Sequence, residues 1–128
     1  MSKISSGNWF DMPWKPIRAG LSQVVFAMEA DGVSLAIAKI ENGHEVKPHS
    51  HPNEQIALCL AGACDYYVDG VPHKMVNGSW VVVPPNVEHY VHVYETHEPC
   101  LQLDVFSPNR PEYTEAYEKF LADNGITR

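Results

Sequence analysis

The 128-residue chain is short of positive charge: 9 Lys and Arg stand against 16 Asp and Glu, for a formal net charge of -7. No basic block stands out that could neutralise a run of phosphates, which argues against nucleic acid as a partner. Long apolar runs are missing too, and none of those present could cross a bilayer. The opening MSKISSGNWFDMPW lacks the positively charged, then apolar, then small-residue order of a secretory signal. The expectation is a cytoplasmic protein without a membrane partner. Cysteines are few (Cys59, Cys64 and Cys100), odd in number and without a C-x-x-C pair, so reduced thiols serving as small buried hydrophobes are expected. Internal repeats and low-complexity tracts are absent, and the length suits one domain with one core.

What is present is punctuation: 10 prolines and 8 glycines spread along the chain. From Val24 onward, short runs rich in Val, Ile, Leu and Tyr alternate with turn signals. They read QVVFAM, VSLAIAKI, EVKPHSH, QIALCLAG, CDYYV, VPHKMV, SWVVV, HYVHVYE and CLQLDVF, with SWVVV read as a buried strand. The dipeptides Asp69-Gly70 and Asn77-Gly78 supply the positive φ of tight turns. Roughly eight or more short strands at this spacing predict an all-β antiparallel sandwich or barrel over residues 21–110.

Only the end reads as a helix, over 111–128. Pro111 suits the first turn, Tyr113, Tyr117, Phe120 and Leu121 form one apolar stripe, and Asn124-Gly125 is a stop signal. That helix is expected to pack on the barrel and bind nothing. Residues 1–20, with Trp9, Phe10 and Trp14 between prolines, read as an arm covering an open sheet face or a partner subunit.

The segment HSHPNEQ carries the chemistry. On a strand, residues two apart face the same side, so His49 and His51 point together. Pro52 cannot continue a paired strand, and the chain turns through PNE to begin the next strand at Gln55, beside the two imidazoles. A second tight turn, PPN, delivers His89. Three neutral imidazoles and one oxygen ligand suit a divalent first-row metal with positions left open. His44, His73, His92 and His97 read as ordinary polar residues, His92 having the opposite strand parity to His89.

The spacing Gly43, His49, His51, Gln55, Gly62, followed by Gly78, Pro84, Asn86, His89, Val93, resembles the two motifs of a single-domain cupin. It departs from them at Gln55 for Glu, Asn86 for Gly and Val93 for Asn. The resemblance spans residues 24–107 and implies a double-stranded β-helix, a small jelly-roll barrel, commonly paired into a homodimer. It also selects Gln55 over its neighbour Glu54 as the oxygen ligand, beside His49, His51 and His89. One divalent ion per chain is expected, with Ni, Mn, Fe, Co and Zn all compatible.

In LQLDVFSPNR, alternation sets Gln102, Asp104 and Phe106 on the face opposite Leu101, Leu103 and Val105. If the polar face looks inward, Asp104 is a carboxylate placed as a general acid or base. Arg110 offers a two-pronged grip to a carboxylate. Together HSHPNEQ, PPNVEH and LDVFSPNRPEY resemble the KdgF-type cupins of pectin and alginate breakdown, which linearise unsaturated uronates. That resemblance implies a small anionic substrate and non-redox isomerisation, with Asp104 moving protons, Phe106 shaping the pocket and Arg110 engaging the carboxylate. An Fe(II) dioxygenase, a polyketide cyclase and a non-catalytic sugar-binding cupin remain alternatives.

Overall fold

The computed structural model describes residues 1–94 and 98–126; His97, read above as an ordinary polar residue, lies outside them. Among the described residues a short 3-10 turn, Trp9–Asp11, precedes nine strands. These are β1 (Lys15–Arg18), β2 (Leu21–Phe26), β3 (Ser34–Ile40), β4 (Glu54–Ala61), β5 (Ala63–Val68), β6 (Val71–Val76), β7 (Trp80–Val83), β8 (His89–His92) and β9 (Cys100–Ser107). One helix, α1 (Pro111–Asp123), closes the order. No helix among the described residues is long and apolar enough to cross a membrane.

Strands pair antiparallel throughout, in a six-stranded sheet ordered β1-β2-β3-β9-β4-β7 and a three-stranded sheet ordered β6-β5-β8. The turns form where the dipeptides place them, with Asp69 at φ 51 and Gly70 at φ 78 linking β5 to β6. Gly62 is required between β4 and β5: its φ is 74, and a Cβ there would sit 2.7 Å from the Pro99 carbonyl oxygen. Inward side chains of both sheets meet in one core, with Ile40, Ala57, Cys59 and Val83 of the larger sheet against Cys64, Tyr66, Met75 and Val91 of the smaller. Each large side chain fully buried there stabilises by about 1.5–3 kcal/mol relative to exposure.

A second cluster joins Tyr117 and Leu121 of α1 to Val24 and Ile37, with Trp9, Met12 and Trp14 packed against it. The opening residues thus lie on the sheet, and Lys39 Nζ sits over the Trp14 ring at 4.9 Å. The helix ends at Asn124, with Gly125 at φ 68.

Three segments differ from the sequence reading. Lys15–Arg18, read as part of the arm, forms β1 at one edge of the larger sheet, paired with β2. EVKPHSH forms no strand; its one β-bridge is the pairing of His49 with His89. Pro48 has no N–H to give a ladder, and the loop instead turns its carbonyls toward the imidazole rings. SWVVV is not buried on both faces: β7 alternates, with Val81 and Val83 inside and Trp80 66% and Val82 43% exposed. Among the described residues its outer face is left uncovered, as is that of Ile56 beside Val82 on β4, which is 36% exposed.

Candidate metal centre

Backbone pairing brings the three histidines together. His49 N–H donates to the His89 carbonyl at 3.1 Å, and His89 N–H returns the bond at 2.9 Å. Asn86, held at φ 64, donates its N–H to the His51 carbonyl at 2.8 Å, clasping the PPN turn to the first histidine loop. An Asn tolerates this left-handed turn. Ring centroids lie 4.3 Å apart for His49 and His89, 4.7 Å for His51 and His89, and 6.0 Å for His49 and His51. One nitrogen from each ring falls within 4.8 Å of the others.

The outer nitrogens decide which nitrogens converge. His49 Nδ1 faces the Lys47 carbonyl at 2.8 Å, His51 Nδ1 the Asn53 carbonyl at 3.0 Å, and His89 Nδ1 the Val87 carbonyl at 2.8 Å. A carbonyl only accepts, so each Nδ1 carries the proton and each Nε2 presents a lone pair. Burial pushes His89 down to about 4 against the pull of the Val87 carbonyl, and burial likewise lowers His49. His89 Nε2 is buried with no hydrogen-bond partner. An unsatisfied buried acceptor costs about 1–3 kcal/mol, a penalty that a ligated cation removes.

β4 begins at Glu54, one residue before the start the sequence suggested; Glu54 is exposed and Gln55, second in the strand, turns inward. Its amide nitrogen donates to Asp104 Oδ1 at 2.8 Å and to the Tyr66 hydroxyl oxygen at 3.1 Å, which fixes Oε1 toward His51 Nε2 at 3.0 Å. With the His51 proton on Nδ1, these two facing atoms are both acceptors. Two acceptors this close repel each other, and a cation held by both would remove that repulsion. The orphaned His89 nitrogen and this acceptor pair fit one divalent first-row ion held by His49, His51, His89 and Gln55.

Around this cluster, β9 turns Gln102, Asp104 and Phe106 inward, as alternation predicts. Asp104 Oδ1 also accepts from the Gln102 amide at 2.7 Å. Burial drives the Asp104 carboxyl up to about 7, opposed by the two amide bonds and the Arg110 charge. Tyr66 lies nearly parallel to His89, with centroids 6.2 Å apart, and burial raises its hydroxyl pKa, as does the nearby Asp104 charge. Phe106 meets His51 edge-on at 5.5 Å and Tyr113 at 5.2 Å.

Arg110 stacks its guanidinium over Tyr113 at 4.0 Å and Phe106 at 4.8 Å. Its Nε pairs with Glu112 at 2.8 Å, while Nη1 is buried with no partner. Asn53 ties this region to the histidine loop: its carbonyl receives His51 Nδ1–H, and its amide donates to the carbonyl oxygens of Pro108 at 2.5 Å and Asn109 at 3.3 Å.

The structure therefore brings all seven candidate residues to one region. His49, Gln55, Asp104, Phe106 and Arg110 line a cavity of about 440 Å³, with His51 and His89 against them. His44 and His92 lie apart from the cluster and near each other, with His44 Nε2 accepting the Val93 N–H. Sequence reasoning missed Tyr66, Asn53 and Tyr113 as site residues. Tyr66 shares strand parity with the inward Cys64, which was the available signal. The helix also does more than pack, since Tyr113, Ala116 and Tyr117 form part of the cavity wall.

The cupin domain family model matches residues 36–106, and the chain belongs to that family. It is 31% identical over 100 residues to an H2HPP isomerase of Bacillus subtilis, spanning 77% of this chain and 41% of that protein. It is 36% identical over 55 residues to the dimethylsulfoniopropionate lyase DddW of Ruegeria pomeroyi, spanning 43% of this chain and 36% of that one. The chain thus spans about two fifths of the length of these curated relatives. Among solved structures, KdgF from a Halomonas species superposes with a TM-score of 0.78 at 23% identity, covering 87% of this chain and 99% of that one. At that identity the likeness shows the fold alone.

Proposed function

We propose that this chain is a metal-dependent enzyme that isomerises a small carboxylate by proton transfer without redox change. The substrate class that suits it best is an unsaturated sugar acid of the uronate type, opened to its linear keto form. The observation that carries this reading is Asp104: a carboxylate in the wall of the cavity, joined to the histidine cluster through Gln55. A base placed beside a cation site without being needed as a ligand is equipped to move protons. Similarity to an isomerase and to a lyase supports non-redox chemistry. The uronate class rests on the resemblance of HSHPNEQ, PPNVEH and LDVFSPNRPEY to the KdgF-type cupins.

Each residue then has a task. The free Nη1 of Arg110 grips the substrate carboxylate, and stacking on Phe106 and Tyr113 keeps the guanidinium planar to the pocket wall. Gln55, a neutral amide where a carboxylate would cancel charge, leaves the centre one unit more positive and suited to an anion. The bound ion supplies Lewis-acid polarisation of a substrate oxygen. Both amide bonds to Asp104 land on Oδ1, so Oδ2 is the oxygen that takes a proton from a substrate hydroxyl and returns it to the enol carbon. Tyr66 accepts from Gln55, and its own proton is left for a substrate oxygen.

The test is the loss of ultraviolet absorbance of an unsaturated monouronate, with metal content measured on the same samples. Asp104→Asn is expected to slow turnover by about a hundredfold to ten-thousandfold while metal stays bound. Near-normal turnover in that variant overturns the role. Oxygen uptake during turnover would instead assign the site to ring-opening oxidation.

A further inference from the structure

The cavity is charged against the sign of the protein. Of 9 Lys and Arg in a chain of net charge -7, four line it: Lys15, Arg18, Lys47 and Arg110. Among the described residues, Asp104 and Glu112 are the only acidic ones that share that wall. Glu112 is committed to Arg110 Nε, and Asp104 is bonded to Gln55 and Gln102. One carboxylate is enough to satisfy Arg110 Nη1. Three cations then remain, brought from two parts of the chain: Lys15 and Arg18 on β1, and Lys47 in the loop before His49.

Among the described residues none of these three is paired with a carboxylate. Arg18 is fixed in place by its Nε bond to the Glu45 carbonyl at 3.0 Å, a neutral partner that leaves its charge uncancelled. Like charges lining one cavity repel, and a second anion relieves that repulsion. A cavity of about 440 Å³ falls within the size range of small-molecule sites and leaves room for both groups.

We infer that the natural substrate carries two separated anionic groups, one gripped by Arg110 and the other by the cluster of Lys15, Arg18 and Lys47. This rests on the reading of the site as one for a small acid and narrows it to dianions. The natural substrate is then an acid of that kind bearing a second carboxylate or a phosphate, and the simple monouronate of the assay above fills only the Arg110 end. The three cations are thereby specificity-determining residues.

Calorimetric titration of the protein as purified, with adipate and with adipate monoamide, tests it, because the probes match in size and differ by one charge. Adipate is expected to bind at least tenfold more tightly, and the Lys15→Gln/Arg18→Gln/Lys47→Gln variant to bind the two probes equally. Equal binding by the unaltered protein overturns the second anion subsite while leaving the small-acid reading standing, and reduces the cations to steering diffusion. A preference that survives the triple substitution also overturns it, because the second carboxylate is then held elsewhere, for instance by the metal. Binding of neither probe removes both readings.

Discussion

The barrel has two ends built from the same strands, and they differ in kind. Along β4 the inward residues run from Gln55 to Cys59, along β9 from Asp104 to Cys100, and along β5 from Tyr66 to Cys64. All six side chains are buried. At one end they meet lone pairs, amides and a cavity. At the other they meet Ala57, Met75 and Val93, and Cys59 Sγ lies 3.9 Å from Cys100 Sγ. Burial pushes the Cys59 thiol up to about 12, and contact with Cys64 together with burial raises Cys100 as well. Protonated thiols are poor nucleophiles and poor metal ligands. Burial alone therefore does not mark a site; polar atoms left unsatisfied at a cavity do.

Substitutions at the two ends sharpen this contrast. The largest effect is expected from His89→Ala, which removes a ligand. Metal content should fall from one ion per chain to near zero, exceeding the ~10–100-fold loss of affinity typical when only a supporting residue is changed. Elemental analysis of the variant checks it. Next comes Arg110→Gln, which takes away the charged partner of the substrate carboxylate. A charge-assisted hydrogen bond worth about 1.5–3 kcal/mol should appear as a rise in KM of about 10–150-fold, with kcat changed less.

Asp104 and His89 also give the metal-free protein opposing responses to pH. The His89 pKa is about 4 in the fold against an ordinary 6.5, so the unfolded chain binds more protons between those values and stability rises with pH. The Asp104 pKa is about 7 against 3.8, so the folded chain binds more protons and stability falls as pH rises through that window. Asp104→Asn removes the second response. Thermal unfolding of the metal-free variant between pH 4 and 6.5 should therefore gain stability with pH more steeply than the unaltered protein.

The smallest functional effect belongs to the thiol end. Cys59→Ala should lower stability by about 0.5–2 kcal/mol through a small void, measured by urea unfolding, and leave turnover within about twofold. A large loss of turnover in that variant would erase the distinction between the ends.

Much of this was legible in the sequence because it is local. Dipeptides such as Asp69-Gly70 fix a turn by their own φ preferences, and alternation along LQLDVF sorts Asp104 from Leu103 without knowledge of any neighbour. The histidine spacings are legible for the same reason. What was missed depends on neighbours in space. Trp80 is exposed because no other described segment packs on the outward face of β7, and Tyr66 belongs to the site because β5 pairs with β8, the strand that begins at His89. The loop before His49 read as a strand because it is a short run bounded by the turn signals ENG and PNE. Its carbonyls are instead spent on holding imidazole N–H groups, as Lys47 shows.

The most direct test of the central claim is anomalous scattering from crystals of the protein purified without chelator. One peak is expected, about 2.0–2.2 Å from the Nε2 atoms of His49, His51 and His89 and from Gln55 Oε1, with Asp104 outside that shell. An absent peak, or an ion ligated by Asp104 in place of Gln55, contradicts the account.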